Sequence, residues 1–269
     1  MDFDPEAVRT FEREGWNRAA AAYEASFATA TRQFIPALLE GIGPGADLLD
    51  VACGPGFVTQ AAADRGATVT GLDFSAAMLA VARDRHPGLR FDQGDAEALP
   101  YGDASFSAVV SNFGIHHVPR PQIALREAHR VLRSGGRIAF SFWAAHAENI
   151  AWKLLFDAIA ACGDPKASTA PPSGGGFASP DSGASALRQA GFAEVETTTV
   201  RGIWRHAGAA ALIAAFSSGT ARTAATIAAQ PAAAMPAILA HIAAAAEPFR
   251  GEDGLDVPIA AVIASGVKA

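Results

Sequence analysis

The chain has 269 residues, half of them hydrophobic (50%), and a formal charge of −6 with Lys and Arg scattered rather than clustered. That apolar content suffices for one large α/β domain with a two-sided sheet core and excludes disorder throughout, and the lack of a basic run argues against nucleic acid as a substrate. Cys53 and Cys162 are too few and too far apart for a disulfide framework or a zinc cluster, which suits a reduced cytoplasmic setting; with no signal-peptide pattern and no long apolar run, a soluble protein without a membrane span is expected.

In chain order, Glu6 to Phe27 sets Val8, Phe11, Gly15, Trp16, Ala19, Ala20 and Tyr23 on one stripe, which predicts an amphipathic helix. Phe34 to Leu39 predicts a second, ended by Gly41, Gly43, Pro44 and Gly45. Asp47 to Val51 reads as the first strand, and Gly54 and Gly56 as a tight turn into a helix from Phe57 to Arg65. Ala67 to Leu72 is the second strand, and Ser75 caps a helix through Arg85. Leu89 to Gln93, Phe106 to Ser111 and Arg137 to Trp143 follow as strands three to five, with a helix from Pro121 to Arg133 before the fifth.

Beyond that core the regularity weakens. Glu148 to Ala161 is helical, Pro165 to Pro180 reads as a mobile surface loop, Asp181 caps a helix to Ala190, and Glu194 to Trp204 is a strand rich in threonine and valine. Ala207 to Ala246 is alanine-dense and helical with breaks at Pro231 and Pro236; Leu212, Phe216, Ile238 and Ile242 give it a face to bury, so it is expected as a helical cap rather than a disordered tract. Val257 to Val267 is the final strand.

Three carboxylates organise the first half. Asp50, Asp73 and Asp95 lie 23 and 22 residues apart, each within or at the end of a short apolar run, and each interval fits one βα unit. Parallel strands end on one edge, so this spacing lines the carboxylates along one rim, where an extended ligand can touch all of them. Asp73, ending strand two, can accept both hydroxyls of a ribose. By itself it would suit NAD equally, but Gly54-Pro55-Gly56-Phe57-Val58-Thr59 lacks the third glycine of the dinucleotide fingerprint, which disfavours an NAD-dependent oxidoreductase.

Leu48 to Gly56, Gly71 to Ser75 with Met78-Leu79, Gly94 to Pro100, Phe106 to His117, and Glu127 to Gly136 occur in the order found in one family. On these residues the chain resembles the class I S-adenosylmethionine-dependent methyltransferases, in particular the type 11 small-molecule group similar to the ubiquinone and menaquinone C-methyltransferases. One departure is Ala52, where that family usually has glycine. The resemblance implies a Rossmann-like seven-stranded mixed sheet with helices on both faces, the last strand antiparallel between the fifth and sixth. It implies residues 1–40 as an N-terminal helical lid, 41–145 as the cofactor-binding core, and 146–269 as a C-terminal half completing the sheet, with a helical insertion at about 207–250.

The implied cofactor is S-adenosylmethionine, leaving as S-adenosylhomocysteine, and the implied partner is a small, apolar or aromatic methyl acceptor. Asp95 and the Ala96 amide would meet the adenine, Phe74 and Met78 would flank it, and Asp50 would orient the turn or reach the methionyl amine. The backbone at Ala52, Gly54 and Gly56 would approach the methionyl part, and Asn112 and Phe113 would line the sulfonium. His116 is the candidate base, while alignment alone can also carry a methyl transfer. His117 is either part of the acceptor pocket or a hydrogen-bonding partner for the following loop. Trp16, Tyr23 and Trp143 are candidates for the acceptor pocket or for plain core packing. The remaining histidines show no metal-ligand spacing, so no metal site is expected. A binding protein that keeps the fold without turnover is the alternative from another class.

Overall fold

The computed structural model describes residues 3–173, 176–177 and 179–269. Eight strands form one sheet among them: β1 (Asp47–Val51), β2 (Thr68–Asp73), β3 (Arg90–Gln93), β4 (Phe106–Asn112), β5 (Leu132–Trp143), β6 (Phe192–His206), β7 (Arg250–Gly251) and β8 (Gly254–Lys268). Their order is β3-β2-β1-β4-β5-β8-β6, with β7 pairing back on β8. β1 to β5 are mutually parallel, and β8 runs antiparallel between β5 and β6, as the resemblance implies.

Alternation along the strands sorts side chains into two layers. Leu48, Ala108, Val110, Ala139 and Ile263 join the core on one face, and Leu49, Val109, Ile138, Phe140 and Val262 join the core on the other. Helices cover both. The first core is closed by α3 (Ile35–Leu38), α4 (Phe57–Ala63), α7 (Ile150–Cys162), α9 (Ala209–Gly219) and α11 (Met235–Ala245); the second by α6 (Pro121–Val131) and α8 (Pro180–Gln189). The remaining helices are α1 (Pro5–Ala19), α2 (Ala28–Thr31), α5 (Ala76–Arg85) and α10 (Arg222–Ala228).

Several elements depart from the sequence pattern for local reasons. The expected helix to Phe27 stops at Ala19. There the Ala19 carbonyl accepts from both Ala22 N and Tyr23 N, and Ser26 Oγ donates back to the Ala22 carbonyl at 2.7 Å, so the chain winds on as turns. The expected helix at Phe34 is divided among α2, a 3₁₀ turn at Arg32–Phe34, and α3. Ser179, rather than Asp181, caps α8, through a reciprocal pair of hydrogen bonds with Ser182. Pro236 does not break α11 but sits in its first turn, where a missing N–H costs nothing. β5 starts five residues early, and a bulge opposite Phe106 and Ala108 absorbs Gly135.

The 165–180 segment, expected as a mobile surface loop, has no regular structure in its described part before α8 starts at Pro180, but it is tied down. Phe177 packs on Phe140 and Phe142 at 5.0 and 5.1 Å, and the Pro171 carbonyl accepts from Arg222 at 2.8 Å. Residues 174, 175 and 178 of that stretch, and residues 1 and 2, lie outside the described residues. No single helix among the described residues is long and apolar enough to cross a membrane; the α10 to α11 stretch reaches that composition only as a pair bent by 93°.

Candidate active site at the strand ends

The C-terminal ends of β1, β2 and β4 open into a cleft of about 730 Å³ measured out to its mouth. Ala52, Gly54, Asp73, Phe74, Met78, Asp95, Ala96, Asn112 and Phe113 line it, together with Trp16 and Tyr23 from the N-terminal segment and His117. A smaller cavity of about 340 Å³ adjoins it behind the glycine turn and is lined by Asp50, Arg32, Thr31 and Phe57; Tyr23, Ala52, Gly54 and Asn112 border both.

The turn after β1 is built on three left-handed residues, Ala52 (φ +57°), Gly54 (φ +52°) and Gly56 (φ +82°). The two glycines do different things. A Cβ at Gly54 would meet no atom within 4 Å, so bare backbone faces open cleft. A Cβ at Gly56 would come within 2.8 Å of the Phe91 ring, so Gly56 is a packing and turn residue and does not line the cleft, contrary to its expected place beside the cofactor.

Asp73 is buried and pins this turn: Oδ2 accepts from Gly54 N and Oδ1 from Ser75 N, both at 2.8 Å. Each oxygen keeps a lone pair for a further donor. Burial pushes its carboxyl up to about 6, with the three backbone amides around it pulling the other way. Asp50 is fully buried; Thr59 Oγ1 donates to its Oδ2 at 2.7 Å, while Oδ1 has no hydrogen-bond partner among the described residues. Burial pushes Asp50 up to about 7. An orphaned buried acceptor beside an unobstructed glycine backbone fits a ligand that brings a cationic donor.

At the far end of the cleft Asp95 accepts from Glu97 N at 2.8 Å and from Arg9 Nε at 2.9 Å. Arg9 also reaches Glu97 at 2.7 Å, and Glu97 in turn holds Arg120 at 2.8 Å, so α1 is fastened across the β3 loop by charge. Met78 packs with Ala19 and Ala20 beneath the same helix.

After β4, Asn112 Oδ1 accepts from Ser141 Oγ at 2.7 Å and its Nδ2 donates to the Thr31 carbonyl at 3.2 Å. Phe113, with φ +57°, donates its N–H to Ser141 Oγ and stacks on Trp143 with ring centroids 4.1 Å apart. Trp143 therefore backs Phe113 from within an aromatic cluster containing Phe27, Phe34 and Trp152, and does not line the cleft.

Of the two histidines, His117 stands in the cleft wall where the acceptor pocket was expected, and His116, the expected base, does not. His116 lines neither cavity, its Nδ1 is buried without a partner, and burial, His117 and Arg222 push its pKa well below the ordinary value. His117 is the one that faces the cleft, with Nδ1 3.1 Å from Glu12 Oε2 and its ring edge-on to Trp16. Tyr23 borders the cleft with its hydroxyl 3.1 Å from Thr31 Oγ1, and burial pushes its phenol up to about 12, so it remains protonated.

Arg9, Glu12, Arg32 and Arg222 were not expected here. Two carried a signal: Glu12 falls on the same buried stripe as Val8, Gly15 and Ala19, and Arg222 is the lone charged residue between His206 and Glu247. Among the described residues no group of three or more His, Cys, Asp or Glu is placed to hold a metal ion.

Residues 49–140 match the family model described as a methyltransferase domain. Demethylmenaquinone methyltransferase of Renibacterium salmoninarum is 43% identical over 110 residues, 40% of this chain and 46% of that protein. Malonyl-[acyl-carrier protein] O-methyltransferase of Erwinia billingiae is 38% identical over 133 residues, 44% of this chain and 53% of that protein. The chain thus spans about half the length of the curated relatives it matches. A solved SAM-dependent methyltransferase from Thermotoga maritima shares the fold over 95% of this chain and 99% of that one, with a TM-score of 0.59 at 19% identity.

Proposed function

We propose that this chain, whose residues 49–140 match a methyltransferase domain, transfers the methyl group of S-adenosylmethionine to a small acceptor. The observation that carries the reading is the pairing of the two cavities across one glycine turn, with an orphaned carboxylate oxygen in the smaller and a ribose-competent carboxylate in the larger. S-adenosylmethionine supplies an already activated methyl on sulfur, so the protein's work is binding, desolvation and alignment.

In this reading Asp73 accepts the ribose hydroxyls with the lone pairs its backbone donors leave free, and Gly54 and Ala52 let the ligand lie against the main chain. Phe74 and Met78 flank the adenine, and Asp95 and the Ala96 amide meet its edge, Asp95 sharing its second oxygen with Arg9. The smaller cavity receives the methionyl end: Asp50 Oδ1 accepts from the ammonium, and Arg32, held over the Phe57 ring at 4.6 Å, takes the carboxylate. Asn112 and Phe113 border the sulfur, and a cation beside an aromatic face gains about 0.5 to 2 kcal/mol. Trp16, Tyr23 and His117 form the acceptor side. Residues 1–40 act as the lid, 41–145 as the cofactor-binding core, and the later half completes the sheet and adds the cap.

Calorimetry with S-adenosylhomocysteine is the test. Wild-type protein is expected to bind, and Asp73→Ala to bind roughly 10- to 150-fold more weakly, the equivalent of a charge-assisted hydrogen bond of about 1.5 to 3 kcal/mol. No binding by the wild type would overturn the reading.

A further inference from the structure

Glu12 has no exposed surface, yet it carries a carboxylate in the middle of α1. Burying an ionised carboxylate costs several kcal/mol unless donors compensate it. Three do. Arg222 Nε from α10 donates to Oε1 at 2.5 Å, Trp16 Nε1 donates to Oε2 at 3.1 Å, and His117 Nδ1 lies 3.1 Å from the same Oε2. Burial alone would raise this carboxyl; His117 and Arg222 outweigh it and hold it below the usual range, so Glu12 is ionised at neutral pH.

An ionised carboxylate is an acceptor only, which places the shared hydrogen on His117 Nδ1. In the neutral ring the lone pair is then on Nε2. That nitrogen carries no hydrogen bond among the described residues, and His117 stands in the wall of the main cleft with Trp16, Tyr23 and Phe113. The charged and titratable groups around the ring are Glu12 from α1, Arg222 from α10 and His116 from the same loop. His116 stays neutral, and Arg222 is spent on Glu12 Oε1 and the Pro171 carbonyl.

We infer that Glu12 is a positioning residue that presents His117 Nε2 to the methyl acceptor as its proton acceptor, and that the acceptor is a neutral hydroxyl compound of the phenol or enol class rather than one that arrives as an anion. This rests on the methyl-transfer reading above. The acceptor oxygen forms its bond to the methyl carbon as the carbon–sulfur bond breaks and leaves its electron pair on sulfur, and the hydroxyl proton passes to Nε2. The resulting imidazolium is held against the Glu12 carboxylate until the proton leaves to solvent. An acceptor already ionised has no proton to give and gains nothing from this pair.

Nitrogen-15 NMR of histidine-labelled protein with S-adenosylhomocysteine added reads the tautomer directly. Neutral His117 is expected with its proton on Nδ1 in the wild type and redistributed toward Nε2 in Glu12→Gln; a wild-type ring with its proton on Nε2 would overturn the inference. If Glu12→Gln does not fold, the wild-type spectrum decides alone. Turnover is then followed at about pH 8 as S-adenosylhomocysteine release with catechol, phenol and 4-nitrophenol as probes, the last being largely ionised at that pH and the other two largely neutral. His117→Asn is expected to lose about a hundredfold or more on phenol or catechol, to lose little on 4-nitrophenol, and to recover as pH rises toward the phenol range. Equal losses on all probes, or none, would overturn it; if no probe turns over, the tautomer stands as the deciding result. Failure of S-adenosylhomocysteine to bind in calorimetry sinks the methyl-transfer reading, whereas binding with the wrong tautomer sinks only this inference.

Discussion

Arg9 on α1 donates Nε to Asp95 at 2.9 Å, so the carboxylate proposed to meet the adenine also ties the N-terminal helix to the loop after β3. A ligand that uses Asp95 must share it with Arg9. Arg9→Met should therefore loosen α1 more than it weakens binding: limited proteolysis is expected to cut the first 40 residues faster in the variant, and S-adenosylhomocysteine to restore protection. The pair is partly exposed, so its own contribution is about 0.5 to 1 kcal/mol, and a fall in ligand affinity well beyond tenfold would mean that Arg9 itself binds the ligand.

Asp50 and Asp73 are both held above their ordinary carboxyl range by burial, to about 7 and about 6. With a raised folded-state pKa the native protein binds more protons than the unfolded chain between about pH 4 and 7, so these groups make stability fall as pH rises through that window and level off above it. Glu12, held below its usual range, acts in the opposite sense, its contribution being lost only as pH falls below the ordinary carboxyl range. Because His116 and His206, held below the ordinary imidazole range by burial, pull the other way up to about pH 6.5, the Asp50 contribution is read as the difference between wild type and Asp50→Asn in urea titrations of ligand-free protein from pH 5 to 8: it should fall by roughly 1 to 3 kcal/mol as pH rises, and Asp50→Asn should weaken S-adenosylmethionine binding. A difference that does not change with pH would mean that Asp50 keeps an ordinary pKa.

Ala52 holds φ +57° at the position where the resembling family has glycine. A left-handed alanine costs on the order of 1 kcal/mol, partly offset in glycine by the greater freedom of the unfolded chain. Ala52→Gly should raise the melting temperature by a few degrees at most, with cofactor affinity retained. A drop in Tm would show that the Ala52 methyl packs usefully against the loop after β4.

What could be read from the sequence and what could not divide by distance along the chain. Asp47–Val51 and the Ser75 cap depend on neighbours within a turn or strand, and both stand where the pattern put them. The rim of Asp50, Asp73 and Asp95 follows from the βα repeat, although Asp50 opens to the smaller cavity and the other two to the larger. Gly54 and Gly56 look alike in sequence, and it is Phe91 and His86, both distant along the chain, that tell them apart. His116 and His117 differ by the rotation of one 3₁₀ turn, Ile115–His117, which no periodicity over so short a run encodes. The Glu12 to Arg222 pair joins residues 210 apart, and no local pattern couples them.

His116→Ala provides the contrast to the positioned histidine. Its ring is neutral, it lines neither cavity, and its Nδ1 is an orphaned polar atom whose removal leaves no partner behind. Turnover with any accepted probe should fall less than about tenfold and S-adenosylhomocysteine affinity should hold, because the change removes no base and no ligand contact. A hundredfold loss with binding preserved would return His116 to the chemistry.

His206 and Leu255 are partners in the β6 to β8 ladder, so the segment between them leaves that ladder and, after β7 folds back on β8, rejoins it at the same rung. Its path closes on itself, and the sheet's register does not depend on what the excursion contains. A lineage can therefore vary the length of this excursion without shifting the strands, so long as the face that packs into the first core is kept. The excursion's ties to the rest of the chain are that packed face, with Leu212, Phe216, Ile238 and Ile242 in the first core, and Arg222, whose replacement has to be matched by a change at Glu12.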